Sequence, residues 1–213
     1  MARQIRENAR GSKKRTPYPV VIIVCDAEKT EPRYFSHFKR RDKPLRIEVV
    51  KDASGKDYNA VIRSAIDAKD KHIAGTESSW AVWCVSDVDV DINTPGNQSV
   101  RNNQLKEYVK KAKYNGFKIA LSNPCFELWY LLHFAYTTEP KRNYDAVIKK
   151  LAKHVPNYKK TNDVYGLLAD KQAAAITHAK RLNSYHDEQG KTDFMDVSVN
   201  PYTNVWDLVE LLI

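Results

Sequence analysis

The stretch Trp80-Ala-Val-Trp-Cys-Val-Ser-Asp-Val-Asp-Val-Asp-Ile92 decides how this chain folds, because an apolar run ends abruptly in alternating aspartates. Residues 80–86 predict a strand buried on both faces, since the run is rich in Val and Trp and too short for a helix. In an open parallel sheet, ligands bind at the carboxyl ends of the strands. The acidic end of this strand therefore predicts a functional edge.

The acids that follow this strand suggest a cation site. If the extended geometry continues, Asp87, Asp89 and Asp91 point the same way at a spacing of about 6–7 Å. Carboxylates so placed repel one another and favour a bound cation, although a solvated acidic loop is the simpler alternative. A calcium loop is excluded, because Ile92 and Gln98 stand where its turn glycine and bidentate glutamate are expected.

Further runs of the same kind predict an α/β fold. Strands are expected at 19–25, 45–50 and 117–121, alternating with amphipathic helices. Such alternation indicates βαβ units and a parallel sheet. We predict a Rossmann-like, mostly parallel four-stranded sheet flanked by helices, in a core spanning 17–140, with a helical C-terminal extension over 141–213.

The first predicted strand also ends in acid. Asp26, Glu28 and Glu31 follow it directly, and a helix is expected to open next and to run to about Arg40. Thr30 is a suitable cap for that helix. The positive end of a helix would then lie beside the acids, as in anion-binding βα turns.

A buried carboxylate is predicted after the fourth strand. Asn123 suits the N-cap and Pro124 the first position of a helix that is apolar nearly all round. Glu127 is the sole acid between Pro124 and Phe134, and a buried carboxylate needs a partner. A salt bridge and a metal role are both open, and the position of Glu127 on the acidic edge favours the metal role.

Charge points to nucleic acid as a partner. The 213 residues carry a formal net charge of +9, and residues 1–16 hold six Lys and Arg against one acid. We predict a basic flexible tail over 1–16 that contacts phosphates in a salt-dependent way, with a disordered solubilising tail as the alternative. The candidate nucleic-acid-binding residues are Arg3, Arg6, Arg10, Lys13, Lys14 and Arg15.

Composition also argues against several classes of protein. Cys25, Cys84 and Cys125 lie in apolar segments without metal-type spacing and are expected to be reduced and buried. The six histidines form no metal-type pair, which argues against zinc. Neither a bilayer-spanning run nor a signal peptide is found, so a cytoplasmic protein is expected, with no membrane partner.

Three segments in order resemble the RloB-like family, whose core is similar to the TOPRIM fold of topoisomerases, primases and overcoming-lysogenization-defect nucleases. They are Asp26-Ala-Glu-Lys-Thr-Glu-Pro-Arg-Tyr-Phe35, Asp87-Val-Asp89 and Asn123-Pro-Cys-Phe-Glu-Leu-Trp129, and the ending Asn200-Pro-Tyr-Thr-Asn-Val205 fits as well. The resemblance implies metal-dependent phosphoester chemistry in bacterial antiphage or abortive-infection defence, often beside an ATPase partner.

One departure from the TOPRIM pattern concerns the first acid. TOPRIM proteins usually carry Glu-Gly after the first strand, whereas this chain has Asp26-Ala27. Aspartate is one methylene shorter, and Ala27 restricts a turn that glycine leaves free. Either Asp26 still serves, or Glu28 or Glu31 replaces it, or activity is reduced or lost.

The leading hypothesis is a nuclease that uses Mg²⁺ or Mn²⁺ to hydrolyse DNA, tRNA or another RNA. Its metal ligands are Asp87, Asp89, Asp91 and Glu31, and its catalytic residues are Asp26, Glu28, Glu127 and Lys160. Lys159 is a weaker candidate than Lys160, and a solvated surface pair is the plainer interpretation of both lysines. The alternatives are a phosphatase or phosphotransferase that uses Asp87 and Asp89, and a catalytically decayed nucleic-acid-binding or regulatory subunit. The sequence does not determine the oligomeric state.

Overall fold

A computed structural model describes residues 19–39, 46–51, 57–73, 80–89, 94 and 96–213 of the chain. Within these residues, one five-stranded sheet has the order β2-β1-β3-β4-β5. The strands are β1 (Val20–Cys25), β2 (Arg46–Lys51), β3 (Trp80–Asp87), β4 (Lys118–Asn123) and β5 (Tyr202–Thr203). The first four pair in parallel, and β5 adds an antiparallel edge to β4.

Helices cover both faces of the sheet. They are α1 (Thr30–Ser36), α2 (Tyr58–Ile73), α3 (Asn97–Tyr114), α4 (Glu127–Leu132), α5 (Tyr144–Leu151), α6 (Tyr165–Leu168), α7 (Gln172–Glu188) and α8 (Val205–Leu212), with a 3-10 turn at Ala169–Lys171. All the predicted strands are present, so the α/β prediction is confirmed. The sequence pattern missed β5, because two residues are too few to show an alternation.

The central strands are buried on both faces, as their unbroken apolar runs predict. Every residue of β1 is buried. Ile22 and Val24 face a core shared with α2 and α3, whereas Ile23 and Cys25 face a second core shared with α1, α4 and the C-terminal helices. The sheet therefore separates two helical layers.

The strand order places a topological switch point between β1 and β3. From β1 the chain crosses outward to β2, and it then returns to form β3 on the other side of β1. In such sheets a crevice opens beyond the carboxyl ends of the two central strands. The residues that follow Cys25 and Val85, which are paired neighbours in the sheet, therefore lie at the mouth of this crevice.

Two predicted helix caps are wrong. Lys29, not Thr30, is the N-cap of α1, which ends at Ser36, and Arg40 lies outside the described residues. Asn123 belongs to β4, and α4 begins only at Glu127. The Asn123 side chain instead donates to the carbonyls of Val197 (2.9 Å) and Val199 (2.8 Å), because the C-terminal segment returns to the sheet there.

Several smaller predictions are confirmed. The three cysteines are free and buried. Apolar stripes of α5, α7 and α8 face the core, as a helical C-terminal extension requires. Each helix in the described part of the chain is too short or too polar to cross a lipid bilayer.

Candidate functional site

Asp26 and Asp87 meet where the two central strands end. The Asp26 backbone N–H donates to the Val85 carbonyl (3.1 Å), which extends the pairing of β1 with β3 by one residue. The Asp87 backbone N–H in turn donates to Oδ2 of Asp26 (3.1 Å). Both side chains are half-buried and line one cleft of about 550 Å³. The sheet therefore brings together two acids that are 61 residues apart.

Two glutamates lie beside these aspartates in the interior. Glu31 on α1 and Glu127 at the start of α4 are each 1% exposed. Oε1 of Glu127 accepts hydrogen bonds from the hydroxyls of Tyr158 (3.0 Å) and Thr30 (3.5 Å). Among the described residues, Glu127 therefore forms hydrogen bonds with two hydroxyls and not the salt bridge that was considered.

Oε2 of Glu31 is buried and has no hydrogen-bond partner within the described residues. A buried polar atom in this state is rare in native proteins and calls for an explanation. We name Asp26, Glu31, Asp87 and Glu127 the acidic cluster.

The members of the acidic cluster act on one another electrostatically. Burial, followed by the charges of Asp26 and Glu127, raises the pKa of Glu31 well above its usual range. Burial, followed by the charges of Glu31, Asp26 and Glu127, likewise raises the pKa of Asp87. The positive charge of Lys160 lowers both pKa values but only partly offsets these effects. A cation bound here would supply further positive charge.

Lys160 is the lysine that faces the cluster. Burial lowers its pKa, but attraction by Glu127, Asp87 and other nearby groups outweighs burial and leaves the pKa raised. Its Nζ lies 4.5 Å from the centroid of the Tyr144 ring, and its carbonyl accepts from Arg33 (3.3 Å). Both Lys159 and Lys160 are exposed, as a solvated surface pair would be. Lys160 lines the cleft, whereas the cleft lining does not include Lys159.

Asp89 lies beyond the extended strand. Strand β3 ends at Asp87, and Asp89 has a left-handed backbone with φ 47°. Its N–H donates to the Pro124 carbonyl (2.9 Å), which ties Asp89 to the segment after β4. The expectation that Asp87 and Asp89 project in parallel from one strand is therefore wrong, although both line the cleft. Asp91 lies outside the described residues.

Of the remaining predicted site residues, Glu28 lies at the cleft and the six basic residues lie outside the described part of the chain. Glu28 is exposed and lines the cleft beside Ala27. Ala27 is not among the described residues with positive φ, so the backbone there does not require glycine. The six basic residues predicted to bind nucleic acid, Arg3, Arg6, Arg10, Lys13, Lys14 and Arg15, lie outside the described residues.

Sequence reasoning missed the polar and aromatic side chains that surround the acids. Tyr58 donates to the Asp87 carbonyl (2.8 Å), and Arg101 and Tyr144 line the cleft. Tyr158 lies two residues before Lys160, a predicted catalytic residue, and this proximity is the sequence signal that points to it. The other residues come from helices whose packing the local pattern does not specify.

The donor atoms suit a hard divalent cation, because carboxylate oxygens are the ligands that Mg²⁺ and Mn²⁺ prefer. The unpartnered Oε2 of Glu31 agrees with that chemistry. Among the described residues, however, no group of three or more His, Cys, Asp or Glu side chains is already arranged to hold a metal ion. The protein thus offers a set of suitable oxygens and not a closed cage, as is common for Mg²⁺ sites that share the ion with water and substrate phosphates.

A family model described as RloB-like protein matches residues 21–212, nearly the whole chain. The comparison with curated proteins gave no match, and neither did the comparison with solved structures. The matched range contains every described member of the acidic cluster together with Lys160. The chain belongs to the RloB-like protein family.

Proposed function

We propose that this protein is a nuclease that hydrolyses phosphodiester bonds with the help of Mg²⁺ or Mn²⁺. The observation that carries the proposal is the acidic cluster, in which carboxylates at the ends of β1 and β3 and on α1 and α4 lie together beside Lys160 and raise the pKa values of Glu31 and Asp87. A purely structural cluster would be paired with cations or hydrogen bonds. This cluster lacks such pairing at Oε2 of Glu31.

The residues that line the cleft have different proposed roles in the reaction. Asp26 and Asp87 would hold the cation at the carboxyl edge of the sheet, with the buried Glu31 and Glu127 and the exposed Asp89 as further ligands. When bound, the cation supplies Lewis-acid activation of the scissile phosphate. Glu28 is exposed at the cleft, so it is placed to take a proton from water, and general bases require such access. Lys160 offsets negative charge that develops on the phosphate.

The hydroxyls of Thr30 and Tyr158 orient Glu127. Both donate to the same oxygen, Oε1, which leaves Oε2 to face other groups. A carboxylate fixed in this way loses little freedom when it binds a ligand. The antiphage role, the ATPase partner and the cytoplasmic location are implied by family resemblance and composition, and they stay predictions.

The test is cleavage of labelled DNA and RNA, tRNA included, with Mg²⁺, with Mn²⁺ and with EDTA. We expect cleavage with either metal, none with EDTA, and a loss of at least about 100-fold in Glu127→Gln. Glu188→Gln changes an exposed glutamate at the end of α7 and is the matched control.

Two other results would replace the proposal by one of its alternatives. Salt-sensitive binding of nucleic acid without cleavage in any metal would indicate the regulatory or decayed subunit. Release of phosphate from a phosphomonoester, with intact phosphodiesters, would indicate a phosphatase.

A further inference from the structure

Arg101 also lines the cleft, and the proposed chemistry does not use it. Arg101 lies in the first half of α3 and is half-buried. Its guanidinium carbon is 5.4 Å from the centroid of the Tyr58 ring. Tyr58 is itself fixed, because it stacks on Tyr108 at 4.6 Å and donates to the Asp87 carbonyl. The Arg101 side chain therefore rests on a rigid support beside the acidic cluster.

Arg101 is not neutralised by a carboxylate within the part of the chain that the structure describes. It lies over the ring of Tyr58. Burial raises the pKa of Tyr58, and the positive charge of Arg101 acts in the opposite direction. An arginine that lies in a cleft lined by Asp26, Asp87 and Asp89, yet forms an ion pair with none of them, keeps its donors for another anion.

Arg101 and Lys160 stand on opposite walls. Helix α3 packs with α2 on one face of the sheet, whereas Lys160 follows α5 in the layer on the other face. Each cation lies over a tyrosine ring, Arg101 over Tyr58 and Lys160 over Tyr144. The aspartates occupy the edge of the sheet between the two walls.

We propose that Arg101 binds non-bridging oxygens of the substrate's phosphodiester backbone from the wall opposite Lys160. This inference rests on the proposed function and adds a residue that binds the substrate. A guanidinium presents a planar fork of donors that matches two phosphate oxygens, whereas an ammonium acts as a point charge. The two cations therefore have different tasks: Arg101 orients the strand, and Lys160 offsets charge at the reacting phosphate.

The test measures binding in EDTA, where the proposed cleavage does not occur. Fluorescein-labelled single-stranded DNA and RNA are titrated with the protein at several NaCl concentrations, and anisotropy is recorded. For Arg101→Gln we expect affinity to fall by about tenfold and the salt slope to fall by about one. Arg101→Lys should keep the slope, because it keeps the charge.

The matched control is Arg181→Gln. Arg181 on α7 also lies over a tyrosine, with its guanidinium carbon 4.2 Å from the centroid of the Tyr136 ring, but it is not part of the cleft. It should bind like wild type. Glutamine is a good helix former, so neither change should disturb its helix, and the Tm of each variant checks this.

Wild-type affinity and slope in Arg101→Gln, an equal loss in Arg181→Gln, or no binding by the wild type would each overturn the inference. The same experiments distinguish a failure of this inference from a failure of the nuclease proposal. If binding depends on Arg101 but no metal-dependent cleavage occurs, the inference about Arg101 holds and the nuclease proposal is wrong. If cleavage occurs and Arg101→Gln has no effect on binding, the nuclease proposal holds and the inference about Arg101 is wrong.

Discussion

Asn123 and Glu127 are buried polar residues only four positions apart in the chain, but their surroundings differ: hydrogen bonds satisfy Asn123, whereas Glu127 lies among other carboxylates. The amide network consists of Asn123, Asn200 and the backbone of Lys141. Asn200 donates to Oδ1 of Asn123 (3.0 Å) and to the Lys141 carbonyl (3.0 Å), and it accepts from the Lys141 N–H (2.6 Å). Glu127 begins the next helix, and in the acidic cluster that it joins the pKa values of Glu31 and Asp87 are raised and Oε2 of Glu31 has no hydrogen-bond partner within the described residues.

This difference distinguishes buried polar groups that stabilise the fold from buried polar groups that serve a function. Burying polar groups is tolerated when hydrogen bonds satisfy them, as in the amide network. Burying carboxylates that repel one another costs stability, and proteins retain such arrangements mainly where they bind or react. The comparison therefore predicts that mutations in the two regions affect different properties.

The largest effect is expected from the acidic cluster on activity. Asp87→Asn should lower metal-dependent cleavage by at least about 100-fold, because it removes the carboxylate at the end of β3. Its thermal stability should be equal to or higher than that of the wild type, since the change removes one of several repelling charges. Initial rates and a thermal scan measure both properties. Unchanged cleavage by the folded variant would remove Asp87 from the mechanism.

The amide network should show the opposite response. Asn200→Ala leaves Oδ1 of Asn123 and both backbone groups of Lys141 without these partners, so the free energy of unfolding should fall by about 3 kcal/mol. Urea unfolding measures the loss, and Asn103→Ala on the exposed side of α3 is the control. Equal stability of Asn200→Ala and wild type would show that this network is not structural.

Glu31→Gln tests the comparison through the pH dependence of thermal stability. The native pKa of Glu31 is raised above its ordinary value of 4.5, so the ionised side chain destabilises the native state at neutral pH. Without metal, the variant should therefore melt a few degrees higher than the wild type at pH 8. The advantage should shrink as the pH falls through the raised native pKa toward 4.5, because the side chain is then protonated in the unfolded state as well. Thermal scans from pH 8 to pH 4.5 test this, and a constant difference would contradict it.

The smallest effect is expected at a supporting hydroxyl. Tyr158→Phe removes one of the two donors to Glu127 and should lower cleavage by about threefold to tenfold, with little change in stability. Tyr114→Phe, at a side chain that is 91% exposed, is the control. A loss as large as that of Asp87→Asn would give Tyr158 a direct role in the chemistry.

The sequence predicts the fold and the acids because both follow from local patterns. Unbroken apolar runs indicate central strands, and the acids that follow each run must lie at one edge of a parallel sheet. The end of β3 at Asp87 was missed, because alternation alone does not reveal where a strand stops. Arg101 was missed for another reason: its partner Tyr58 lies in a different helix, and no local pattern encodes that packing. The contact of Thr30 with Glu127 likewise spans 97 residues.

The most direct test of the central claim is the Tm of the wild type and of Asp87→Asn with and without millimolar Mg²⁺ or Mn²⁺. A cation that binds only the native state raises the Tm by mass action. We predict a rise in the wild type and in the exposed control Asp170→Asn, and none in Asp87→Asn. An unchanged Tm in the wild type, or an equal rise in Asp87→Asn, would contradict a metal site at the carboxyl edge of the sheet.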